Sequence, residues 1–142
     1  MKTLKVLSSA LVISGIALWL ISGHFVGIAS GASLVARTSN AAGVEVVVTP
    51  KIVVSNVAAW EFEITMNTHT TALSVDLAQT AVLIDDTGRR YAPLAWQGDA
   101  PGGHHRKGIL RFPLPPGKPR SIELKIKGIG ADNERVFRWE LN

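Results

Sequence analysis

The sequence predicts an all-β, immunoglobulin-like antiparallel β-sandwich preceded by one N-terminal hydrophobic helix, and three observations carry that prediction. Between Val44 and Leu141, short segments alternate apolar and polar residues with period two, as half-buried strands do. Turn formers separate these segments, among them Asp85-Asp86-Thr87-Gly88, Gly98 to Gly103 and Pro115-Pro116-Gly117. No segment after Thr38 repeats its apolar residues at helical spacing, apart from a single turn near Leu73 to Ala78. The absence of cysteine limits "immunoglobulin-like" to architecture, because the Cys-Trp-Cys core of antibody domains cannot form.

The chain begins Met1-Lys-Thr-Leu-Lys5, and Val6 to Ala29 follows as 24 residues without a formal charge. A helix of about 20 apolar residues spans a bilayer core. A cleaved signal peptide fits the same residues, with Leu11 to Ile21 as its apolar core and small residues at Ser30 and Ala32. The apolar character resumes at Phe25-Val-Gly-Ile28, and Gly23, Gly27 and Gly31 recur at four-residue spacing, which favours an uncleaved anchor. Both readings hold Lys2 and Lys5 inside and place the remainder outside the cytoplasm. The expected division is therefore an anchor or signal peptide over 1–32, a flexible tether over 33–43, and a sandwich over 44–142. Cleavage would make the domain periplasmic or secreted.

Within the domain, Val44 to Val48 is β-branched and bounded by Gly43 and Pro50, a first strand; Lys51 to Asn56 is a short second strand or a lead-in. Ala58 to Met66 is the clearest strand, with Trp60, Phe62, Ile64 and Met66 on one face and Glu61, Glu63 and Thr65 on the other. Ala81 to Ile84 and Arg90 to Ala92 form a hairpin over the Asp85–Gly88 turn. Gln97 to Lys107 is a shaped loop, and Gly108 to Leu114 follows as a strand that Pro115 and Pro116 end. Ser121 to Lys127 and Arg135 to Leu141 alternate again. Trp60, Phe62, Phe112, Phe137 and Trp139 supply the bulk of the expected core.

Four motifs, Trp60-Glu-Phe, Thr68-His69-Thr70, Gly102-Gly-His-His-Arg106 and Arg135-Val-Phe-Arg-Trp139, give most of the domain a resemblance to an uncharacterised group of small bacterial exported, membrane-anchored β-sandwich proteins. The resemblance implies export and a sandwich; it implies no activity.

Composition narrows the function further. The formal charge is +4, but Lys2 and Lys5 precede the apolar segment, so the remainder carries thirteen basic against eleven acidic residues. That balance, with no interleaving of basic and aromatic residues, argues against nucleic acid. Catalysis is not expected either. No serine sits in a G-x-S-x-G elbow, Glu61 and Glu63 read as a solvated strand face, and Asp85-Asp86 reads as a turn.

Strand alternation brings the loops 67–80, 94–107 and 128–134 to one end, as the binding loops of a variable domain share one end. His69, His104, His105 and Asp132 then share a rim, with Asp76 near it. Without cysteine, a metal site there uses imidazole and carboxylate, a donor set that suits Cu(II) or Zn(II). Adjacent histidines in extended backbone point to opposite faces, so only one of His104 and His105 joins a given site. The competing reading is that these are ordinary polar loop residues of a structural or protein-interaction module, with an envelope protein as its partner.

Overall fold

The computed structural model describes residues 34–53, 57–131 and 134–141. The expected anchor over 1–32 and Asp132 lie outside these residues. Among the described residues no helix is long and apolar enough to cross a membrane. The chain forms β1 (Arg37–Ala41), β2 (Val44–Ile52), β3 (Ala59–Thr68), α1 (Leu77–Thr80), β4 (Ala81–Asp85), β5 (Arg90–Tyr91), β6 (Ala95–Gly98), β7 (His105–Pro113), β8 (Ser121–Ile126) and β9 (Arg135–Glu140). These make two antiparallel sheets, ordered β1-β2-β3-β7-β6 and β5-β4-β8-β9.

The period-two patterns determine which face each strand buries. Val44, Val46 and Val48 of β2, the even-numbered residues 60–66 of β3, and Leu110 and Phe112 of β7 point inward from the first sheet. Leu83, Ile122, Leu124, Ile126, Phe137 and Trp139 meet them from the second. Phe62 joins the two layers, edge-on to Phe112 with ring centres 5.8 Å apart and tilted against Trp139 at 5.7 Å. Outward residues of the first sheet pair across strands instead: Glu63 with Lys107 at 3.3 Å and Glu61 with Arg111 at 3.1 Å. The two glutamates are thus occupied on a solvated face.

Three assignments from sequence are corrected. The stretch expected as a tether contains β1, which pairs with β2 from Arg37↔Val48 to Ala41↔Val44. As a mostly exposed edge strand it shows no apolar alternation, and backbone pairing with β2 and the Arg135 guanidinium at Ser39 and Ala41 hold it to the fold. Next, β2 runs past Pro50 with a register irregularity between Pro50 and Ile52. Because β1 ends opposite Val48, Pro50 lies where β2 is an edge, a place that tolerates proline.

Finally, the loop expected over 97–107 is shorter. Gln97 and Gly98 belong to β6, and His105, Arg106 and Lys107 to β7. Gly98, one of the residues that suggested a turn, is the ladder partner of Gly108 at very close approach. A Cβ on Gly98 would lie 2.4 Å from the Gly108 Cα and the Lys107 carbonyl, and the Trp96 indole covers both glycines.

Candidate functional site

The rim predicted from strand alternation forms at one end of the sandwich, where three connections meet. The Leu73 N–H donates to the Gly103 carbonyl and the Gly102 N–H to the Leu73 carbonyl, both at 2.9 Å, joining the 69–76 and 99–104 segments. Gly128 packs near Val75 and Gly130 near Ala42, which brings the connection after β8 to the same end.

Arg106 holds this end from beneath. It follows His105 in β7, pairs in register with the buried Met66, and is itself only 2 % exposed. Its guanidinium donates to the carbonyls of Leu73 at 2.9 Å, Val75 at 2.7 Å and Asp99 at 3.3 Å, and lies 5.6 Å from the centre of the Trp96 ring. Burial pushes its pKa down from the ordinary arginine value, while the Asp99 and Asp76 carboxylates push it back up. Asp99 closes the other side of the loop, its carboxylate accepting from the Lys107 N–H at 2.8 Å. Arg135 has a matching role between the sheets, reaching Ser39 and the carbonyls of Ala41 and Ile129. Sequence reading placed neither arginine in the interior, because inward-pointing charge inside an alternating strand looks like an ordinary polar position.

Above this support the histidines separate. Thr68 is buried and donates to the Gly43 carbonyl at 2.9 Å, so Asn67 and His69 on either side of it face outward. His105, opposite Asn67 in the register, faces outward as well. The His69 and His105 rings meet with centres 6.5 Å apart and planes at 82°. His104 is exposed and fastens the loop through its carbonyl, which accepts from the Thr68 N–H at 2.9 Å. Asp76 is used elsewhere: its carboxylate caps α1 by accepting from the Ala78 N–H at 3.0 Å.

His105 is oriented by a short relay across β2, β3 and β7. The Asn67 Nδ2 donates to Glu45 at 3.2 Å, and the Asn67 Oδ1 lies 2.9 Å from the His105 Nδ1. A carboxylate only accepts, so the amide nitrogen of Asn67 belongs on its side and the amide oxygen faces His105. His105 Nδ1 is therefore the donor, and in the neutral ring Nε2 keeps its lone pair. Metal-binding histidines are commonly oriented in this way by an acceptor at the other ring nitrogen.

Two imidazoles bound to one ion at about 2.0–2.1 Å per nitrogen place their ring centres about 5 Å apart at a tetrahedral angle and about 4.5 Å apart at a right angle. The observed 6.5 Å is longer than either, so an ion between the rings requires rotation about the χ angles of these exposed side chains. Among the described residues, no group of three His, Cys, Asp or Glu side chains is placed to hold a metal ion. The pair thus presents two imidazoles and no carboxylate, with Asp76 engaged at the start of α1. An open groove of about 400 Å³ lies between β1 and β9, lined by Arg37, Thr38, Val136, Phe137, Arg138 and Glu140, and none of the described histidines borders it.

Comparison with protein-family models, with curated proteins and with solved structures finds no match to this chain.

Proposed function

We propose that this chain is an extracytoplasmic, membrane-tethered binding module of immunoglobulin-like architecture, and that the ligand at its rim is a transition metal, Cu(II) or Zn(II). The observation that carries this reading is the meeting of His69 with His105, 36 residues apart in sequence, with the Nδ1 of His105 oriented by Asn67. The module acts by binding and not by catalysis. Its location rests on Lys2 and Lys5 before the long apolar run. A reporter fused after Asn142 and found active in the cytoplasm would contradict that location. The direction of β1 supports a rim that faces away from the anchor, since β1 runs from Arg37 towards the turn at Ala42–Gly43, beside Thr68.

A second reading, a structural or protein-interaction module without metal, draws on the same rim. Arg106 and Asp99 order the loops through the chain's own carbonyls and amides, an arrangement that needs no ligand.

Calorimetric titration of the full chain in detergent with Zn(II), and separately with Cu(II), discriminates the two. The metal reading expects stoichiometric uptake at pH 7 that His69→Ala and His105→Ala each abolish and His104→Ala leaves in place. Uptake that is equally weak in all four proteins favours the module without metal.

A further inference from the structure

The His69–His105 pair offers two nitrogens, whereas a closed Zn(II) site takes four donors and Cu(II) favours four in a tetragonal arrangement. No third His, Asp or Glu joins the pair among the described residues. Building on the metal reading above, we propose that a second copy of this chain completes the site: one ion is held by His69 and His105 of both copies, on a twofold axis through the metal.

The surroundings of the pair suit its own copy. Both rings are exposed on the outer face of the first sheet, at its rim, so another molecule can reach them without any rearrangement of the fold. Lys107 stands on that face next to Glu63, and Arg111 next to Glu61, so acids and bases are interleaved and not segregated. A face carrying both signs meets its twofold copy without a like-charge barrier. A strongly acidic or basic partner would find no matching field there. His105 enters the ion's shell through Nε2, because Asn67 occupies Nδ1. A twofold axis therefore places equivalent nitrogens from each copy around the ion.

Native mass spectrometry of the full chain released from detergent, with Zn(II) alone as the probe, tests this directly. The expected species contains two chains and one Zn(II), disappears on chelation, is reduced to the metal-free level in His69→Ala and His105→Ala, and persists in His104→Ala. A second measurement needs no variant: the Cu(II) electron paramagnetic resonance of the wild type should show hyperfine splitting from four imidazole nitrogens. A single chain carrying one Zn(II), with two-nitrogen splitting for Cu(II), overturns the shared site while leaving the His69–His105 pair as a metal ligand. A dimer that survives chelation also overturns it. The absence of metal from every species overturns both the shared site and the metal reading on which it rests.

Discussion

Asp85 opens the hairpin between β4 and β5, and its carboxylate gathers the turn around itself. One oxygen accepts from the Thr87 N–H at 2.9 Å, the Thr87 hydroxyl at 2.6 Å and the Arg89 N–H at 3.0 Å; the other accepts from the Tyr91 hydroxyl at 2.6 Å. Burial pushes this carboxyl up, but the hydrogen bonds from Thr87, Tyr91 and the Arg89 amide outweigh it and lower its pKa to about 2. The Tyr91 hydroxyl is pushed up, by burial and by the neighbouring carboxylate. An unfolded aspartate titrates at about 3.9, so between about pH 4 and 2 the unfolded chain binds more protons and stability falls as the pH falls. Urea unfolding from pH 5 to 2 should therefore show a steeper loss for wild type than for Asp85→Asn. At pH 7 the same substitution should cost about 1–3 kcal/mol, the range for removing charge-assisted hydrogen bonds from a buried acceptor. Parallel pH curves for the two proteins would show that the turn does not depend on the ionised carboxylate. The turn was readable from Asp85-Asp86-Thr87-Gly88, because a short acceptor side chain before a glycine favours this geometry. The Tyr91 contact was not, since it depends on how the hairpin closes.

Strands with two different faces were legible, and strands without them were not. β3, β8 and β9 each bury alternate residues, and the sequence displays that alternation directly. β1 and β6 are edge strands that show no apolar alternation: β1 is mostly exposed, and β6 packs a single large side chain, Trp96, against the core. The same cause hid Arg106, since the main-chain carbonyls that its two terminal nitrogens reach belong to loops that only the folded chain brings together. Replacing Arg106 by Ala removes the guanidinium from the Val75 carbonyl and leaves the Leu73 carbonyl only the Gly102 N–H; it should cost about 2–5 kcal/mol, combining lost hydrogen bonds with lost packing against Trp96. Arg106→Lys should recover less than half of that, because one ammonium cannot reproduce a planar fork bridging two loops. Denaturant midpoints of the three proteins check this; a lysine variant as stable as wild type would mean that charge alone suffices.

Across the whole molecule, the direction of successive strands was the most informative feature of the sequence. It brought the 67–80, 94–107 and 128–134 segments to one end, and the structure joins the described parts of all three there. The pairing within that rim was beyond reach of the sequence. His69 and His105 share a face only because the alternation of β3 continues through Asn67 and Thr68, two residues past the last one assigned to the strand, and because β7 begins at His105. Both the proposed metal site and its sharing between two copies require those two rings to serve as ligands. X-ray diffraction at the zinc absorption edge from crystals of the protein grown with Zn(II) tests that requirement most directly. An anomalous peak is expected about 2.0–2.1 Å from the His105 Nε2 and from a ring nitrogen of His69. A map with no peak between those rings, or with zinc bound to His104 or the acidic side chains instead, would contradict it.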